Sequence, residues 1–213
     1  MRLVLATRNE HKVRELGDLM RPHELEPLPD NVELPPESGT TFRANALIKG
    51  RAAAAATGMP AVADDSGIEA TALRGAPGVF SARFAGDGAS DEENLEKLLR
   101  EVPPGADPGL AYVCVLAYVE PGGQEIVVEG RCEGRLTHEP RGHGGFGYDP
   151  AFVPADRDDG RTMAELSADE KHAISHRGRA AKQLRERLNR LEPGLPRLRN
   201  PFEFGERKRR RPR

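Results

Sequence analysis

The apolar positions along the chain change period several times, and each change marks an element. Leu3, Val4, Leu5 and Ala6 form a short continuous apolar run, which predicts a buried first strand. Thr7-Arg8-Asn9 follows as a loop, and Asn9 is a favoured helix N-cap. Val13, Leu16, Leu19 and Met20 then recur at helical spacing. His23 to Pro29 reads as a second strand and Asn31 to Gly39 as an acidic, proline-containing loop. A long helix is predicted from Phe42 to Thr57, capped by Thr40 or Thr41 and ended by Gly58 and Pro60. Met59 to Ala63 predicts a buried strand, and the chain is expected to turn at Asp64-Asp65-Ser66-Gly67 before Ile68 to Ala70 resume a short strand.

Beyond that point Leu73 to Gly88 is rich in glycine and proline and reads as a structured loop. Ser90, with Glu93 three residues on, is a capping box for a short helix from Asp91 to Arg100. Leu110 to Val119 and Glu125 to Arg135 are strand-like runs joined by Glu120-Pro121-Gly122-Gly123, a hairpin signal. The glycine-rich stretch from Gly142 to Asp149 leads into Ala151-Phe152-Val153, and a last helix is expected from Arg177 to Leu191. Strand–helix units followed by a hairpin and more helices predict a mixed α/β domain over residues 1–192, with an irregular tail at 193–213.

Composition narrows the class without settling it. The chain has 213 residues, 37% of them apolar and 31% charged, enough for one large domain or two small ones. No apolar stretch approaches the ~20 residues of a membrane helix, and the first apolar run is too short for a signal peptide. Cys114 and Cys132 lie in strand-like runs and read as buried thiols in a reducing cytoplasm, the expected location. The net charge of −2 hides an asymmetry, because Arg207 to Arg213 carries six positive charges on a body with 26 basic and 34 acidic side chains. A basic tail can bind nucleic acid through phosphates, but so acidic a body makes nucleic acid an unexpected partner.

The Asp64-Asp65-Ser66-Gly67 segment admits two readings, an ordinary surface turn or a carboxylate pair for a hard cation such as Mg²⁺, which brings substrate phosphates with it. Other segments favour the second. The Thr7-Arg8-Asn9-Glu10-His11-Lys12 loop enters a helix N-terminus, where free N–H groups and the helix dipole favour an anion, and Lys12 adds an ammonium. The glycine pattern of a P-loop is absent. Asn45 and Lys49 share one helix face with Phe42, so Lys49 is expected to turn inward toward an anion. Glu37, in the loop before that helix, is placed to join Asp65 on a cation. Gly144-Gly145-Phe146-Gly147-Tyr148-Asp149-Pro150 suits close approach to a flat ligand with a ring stacked on it. Ser175 can cap the last helix and present His176 and Arg177, whose fork of donors can pair with a keto purine.

Taken in order, these segments resemble the inosine/xanthosine triphosphate pyrophosphatase family. The resemblance runs from about Leu3 to Leu191 and rests on Leu5-Ala6-Thr7-Arg8-Asn9 with Lys12, Glu37 to Phe42 with Asn45-Ala46, and Ala63 to Gly67. It continues through Gly75 to Arg83, Gly145 to Pro150 and Ile174 to Gly178. It implies an elongated mixed-sheet α/β fold whose two lobes flank a nucleotide cleft, a homodimer, and Mg²⁺-dependent hydrolysis of deaminated purine nucleoside triphosphates to monophosphate and pyrophosphate. On matching positions, Thr7, Arg8, Asn9, Glu10, His11 and Lys12 would hold the triphosphate, and Ser66 would contact substrate. Asp65 would be general base and metal ligand, with Glu37 the second ligand. Phe146, Gly147, Tyr148, Asp149, Lys171, His176 and Arg177 would hold the nucleotide and its base, with Asn45, Lys49 and Asp64 in support. His11, Arg43-Ala44 and His172 depart from the family pattern.

Overall fold

The computed structural model describes residues 1–191; the basic tail predicted at 193–213 lies outside the described residues. The opening strand β1 (Arg2–Leu5) is followed by α1 (Glu10–Leu19), β2 (Glu24–Pro27), α2 (Phe42–Thr57) and β3 (Ala61–Ala70). Then come α3 (Asp91–Glu101), β4 (Gly109–Val119), β5 (Glu125–Leu136), β6 (Phe152–Pro154), α4 (Ala168–Ile174) and α5 (His176–Leu191). The strands form one six-stranded mixed sheet in the order β2-β1-β3-β4-β5-β6. β1 is parallel to β2 and β3, while β3 to β6 pair antiparallel, bearing out the mixed α/β class.

Helix ends follow the expected chemistry. Asn9 caps α1, Thr41 caps α2, and Ser90 with Glu93 closes the capping box of α3. Gly58 ends α2 at φ 66°, in the left-handed region that glycine enters without a Cβ clash. The loop expected from Leu73 to Gly88 contains short 3₁₀ turns, one of them Gly78–Arg83. α4 was not anticipated: its seven residues carry too little apolar periodicity to signal a helix.

One sequence expectation is overturned. Asp64, Asp65, Ser66 and Gly67 do not form a turn; β3 runs straight through them, each paired with β4 from Leu116 down to Val113. The antiparallel ladder with the long, apolar β4 overrides the turn preference of Asp, Ser and Gly. Because strand side chains alternate, the two carboxylates leave on opposite faces of the sheet.

Each face has its own helices. Leu3, Leu5, Val62, Cys114 and Leu116 pack with Leu16 of α1 and Ala180 and Leu184 of α5. Val4, Ala61, Ala63 and Val119 pack with Ala53 and Ala54 of α2 on the other face. α1 leads from β1 to β2 over one face and α2 leads from β2 past β1 to β3 over the other, and ligands of open α/β sheets bind at the strand ends where the order reverses. β1 pairs with β3 only at Ala61 and Val62, so β3 beyond Ala63 has no strand on that edge. A further cluster, built on Ile68, Leu98, Tyr112, Phe152 and Met163, lies past the aspartates, and a smaller one of Phe42, Ala46, Val113, Val115 and Ala117 runs alongside them.

α5 lies against bare backbone of β5. A Cβ on Gly130 would run into the His176 carbonyl and the Ala180 backbone. Gly130→Ala is therefore expected to destabilise the fold by ~1–3 kcal/mol, measured by chemical denaturation. Gly17→Ala, in α1 with nothing near the added methyl, is expected to gain ~0.5–1 kcal/mol in the same assay.

Candidate active site

Asp64 is completely buried and takes donors from four elements. Lys12 of α1 forms an ion pair with its Oδ1, and Ser66 Oγ donates to Oδ1 at 3.1 Å. Arg177 Nε and Cys114 Sγ both donate to Oδ2 at 3.1 Å. Burial acts to raise its pKa, but Lys12 and Arg177 overcome this and hold the carboxyl well below the usual range. Burial and Asp64's charge in turn push the Cys114 thiol well up, so it stays a protonated donor.

Asp65, on the other face, has different company. Lys49 of α2 lies 3.7 Å from its Oδ1, pairs with Glu37, and donates to the Asp64 carbonyl at 2.7 Å. Asn45 is buried beside them, and its Oδ1 accepts from Gly39 N at 2.7 Å, holding the Glu37 loop against α2. The inward turn expected of Asn45 and Lys49 is present. Asp65 Oδ2 is buried without a hydrogen-bond partner among the described residues. Burial raises the Asp65 pKa to about 6, with Lys49 opposing and Glu37 adding to the rise. Lys49 stays an ammonium, because Asp65 and Glu37 outweigh its desolvation.

These residues fit a hard divalent cation. Two carboxylates, Glu37 and Asp65, already share one cationic partner, and an orphaned buried carboxylate oxygen is a free hard ligand. Among the described residues no group of three metal-ligating side chains gathers. Mg²⁺ asks for no such cage, being held by one or two carboxylates together with substrate phosphates.

A third group of residues flanks Arg177. Its Nη1 pairs with Glu15 and its Nη2 donates to Ser66 Oγ at 2.9 Å, so three of the fork's donors are spent inside the protein. Glu15 also takes Lys171 at 2.9 Å, and Lys171 reaches Asp149 at 2.7 Å. Asp149 further accepts Tyr112 Oη at 3.0 Å and Phe146 N at 3.0 Å, fixing the Gly144–Pro150 loop. Tyr112 stacks on His176 at 4.6 Å, and burial with Arg177 nearby drives the His176 pKa well down, leaving a neutral ring. His176 Nδ1 is buried without a partner among the described residues. Ser175 Oγ accepts from Gly178 N at 3.0 Å, the cap expected for α5.

The side chains of the first loop have partners within the protein. Arg8 donates to the carbonyls of Pro29, Asp30 and Val32, so its guanidinium fastens the loop after β2, whose carbonyls have no ladder partners. Asn9 Oδ1 accepts from His11 N and Lys12 N, taking two N–H groups that an anion would need. Thr7 Oγ1 accepts from Asn9 N, and Glu10 is exposed in the first turn, where its charge suits the helix dipole. His11 stacks on Phe146 at 4.8 Å, which places it with the aromatic loop instead of with Lys12. Phe146 is half-buried, with Lys171 5.1 Å and Arg177 5.8 Å from its ring centre.

Sequence reasoning missed Glu15, Tyr112 and Cys114. Glu15 gives the one readable signal, a charge flanking the Leu16, Leu19, Met20 stripe, where an inward carboxylate needs a cation. Tyr112 and Cys114 sit in a uniformly apolar strand and are indistinguishable there from core residues.

Comparison with known proteins identifies the family. Residues 3–187 match the model of the Ham1 family. A relative from Streptomyces coelicolor named dITP/XTP pyrophosphatase is 49% identical over 191 residues, covering 86% of this chain and 94% of its own. One of the same name from Symbiobacterium thermophilum is 50% identical over 195 residues, covering 89% and 96%. The solved structure of a HAM1 protein from Coxiella burnetii superposes with a TM-score of 0.81 at 42% identity, covering 89% of this chain and 99% of that one. The chain belongs to the Ham1 family.

Proposed function

We propose that this protein is a Mg²⁺-dependent nucleoside triphosphate pyrophosphatase. It converts deaminated purine nucleotides (ITP, dITP, XTP) to the monophosphate and pyrophosphate, clearing them from the cytoplasmic pool. The observation that carries the reading is the convergence on Asp64. One buried carboxylate ties the Lys12 loop to Arg177 at the head of α5, with Asp65 its neighbour in the strand. The relatives named dITP/XTP pyrophosphatase support the same activity. No helix among the described residues is long and apolar enough to cross a membrane. The reading includes the homodimer implied by the resemblance.

The chemistry follows from charge. A triphosphate repels a nucleophile, so cations must neutralise it while a carboxylate activates water. Glu37 and Asp65 would hold Mg²⁺, which supplies charge neutralisation to the phosphates. Lys12 and Lys49 add ammonium groups on either side of β3. Asp65 takes a proton from water as the water oxygen bonds to the α-phosphorus. The bond from that phosphorus to the bridging oxygen breaks, and pyrophosphate leaves. At the other end, Phe146 would offer a ring for stacking, while the unspent Arg177 N–H groups and His176 would supply donors to the base. Donors suit the 6-keto oxygen of hypoxanthine and xanthine; the 6-amino group of adenine is itself a donor and would leave them unpaired. Sites built this way reject mismatched analogues by ~10⁴-fold or more.

A substrate panel with pyrophosphate and phosphate measured separately tests the reading. ITP and XTP are expected to give one pyrophosphate per turnover without free phosphate, ATP far less, and chelation of Mg²⁺ to abolish both. Phosphate as the first product would refute it.

Asp65→Asn separates chemistry from folding. Turnover is expected to fall by orders of magnitude while nucleotide binding persists; near-normal turnover would remove Asp65 as base. Stability should move the other way. The folded pKa lies above the ordinary 3.8, so the folded state holds this proton more tightly than the unfolded chain, and stability falls as pH rises from about 4 to about 6. In chelator at pH 7.5 the variant should be more stable by up to about 3 kcal/mol, by denaturant titration, and the gain should vanish near pH 4.

A further inference from the structure

Gly147 sits in the middle of the aromatic loop at φ 63°, and its peptide plane is held at both ends. The Phe146 carbonyl accepts from Asp149 N at 3.3 Å, while Gly147 N donates to Asp91 Oδ2 at 2.7 Å. Asp91 is the first residue of α3 and lies 56 positions away along the chain. Its carboxylate is not needed as a cap. Ser90 and Glu93 already close that helix end through Glu93 N to Ser90 Oγ at 3.2 Å and Ser90 N to Glu93 Oε2 at 2.7 Å.

α3 is in turn fastened to the strand that carries the aspartates. Asn94 Oδ1 accepts from Ala85 N at 2.8 Å, and its Nδ2 donates to the Ala82 carbonyl at 3.3 Å. Within the Gly78–Arg83 turn, Ser81 Oγ accepts from Ile68 N of β3 at 2.8 Å, and the Ser81 carbonyl accepts Tyr148 Oη at 2.8 Å. A continuous set of bonds therefore runs from β3 through this turn and α3 to the backbone beside Phe146. We propose that Asp91 is a positioning residue for nucleobase recognition: by holding the Phe146–Gly147 peptide it sets the distance and tilt of the Phe146 ring relative to the reacting centre on β3. The inference rests on the functional reading above and deepens it, because it assigns base affinity to a residue that touches no substrate.

The test compares wild type, Asp91→Ala and Asp91→Asn as full chains with Mg²⁺. Asp91→Ala is expected to raise KM for ITP and the inhibition constant of IMP about five- to tenfold, the worth of one charge-assisted hydrogen bond. Its kcat should stay within about twofold, and competitive inhibition by inorganic tripolyphosphate, which has no base, should be unchanged. Asp91→Asn keeps an oxygen that accepts from Gly147 N and should restore most of the loss. A purely structural role would lower kcat and tripolyphosphate binding together. Unchanged KM in Asp91→Ala, equal defects in both variants, or an equal loss of tripolyphosphate binding would each overturn the assignment. Wild-type enzyme that fails to release pyrophosphate from ITP would instead overturn the functional reading, and this inference with it.

Discussion

A carboxylate sealed inside a protein is tolerable only beside its counter-charges, and Asp64 makes this the organising constraint of the molecule. Its burial is complete, so loss of both Lys12 and Arg177 would leave a buried charge without its paired cations, and loss of either would leave it only partly compensated. Those two cations come from helices far apart in the chain, α1 and α5, and both must dock on one face of β3 for the fold to close. The same requirement that stabilises the fold thereby brings the first loop and the head of the last helix to one point.

The alternation of strand side chains then divides the labour between neighbouring aspartates. Asp64, facing α1 and α5, has every oxygen satisfied and is held ionised. Asp65, facing α2, keeps one oxygen without a partner and has its pKa pushed up toward 6. One residue is bound tightly enough to be inert, and the other is left with unspent capacity. That contrast is what a site needs, because a reacting group must not already be saturated by its own protein.

The cations follow a common arrangement. Lys12 is matched by Asp64, Lys49 by Glu37 and Asp65, and Lys171 by Asp149 and Glu15. Under the proposed function, an entering polyanion would find this positive charge already oriented, and Mg²⁺ would take over Glu37 and Asp65. Preorganisation of this kind removes reorganisation from the reaction step.

Much was legible in the chain itself. Apart from α4 and the Asp64 to Gly67 segment, the element order, the caps at Asn9, Thr41 and Ser90, the hairpin and the inward face of Asn45 and Lys49 all follow from local periodicity and turn chemistry, which act over a few residues. The resemblance picked out Asp65, Lys12, Phe146 and Arg177 together, because their spacing is written in the sequence. Tertiary structure alone decided the rest. It drew the Asp64 to Gly67 segment into a continuous strand, since pairing with β4 outweighs turn preference, and so put the two carboxylates on opposite faces. It spent Arg8 on loop carbonyls, moved His11 onto Phe146, and recruited Glu15, Tyr112, Cys114 and Asp91. Each of these depends on a partner between 21 and 162 positions away, and no local pattern records which distant group will arrive to satisfy a charge or a hydrogen bond.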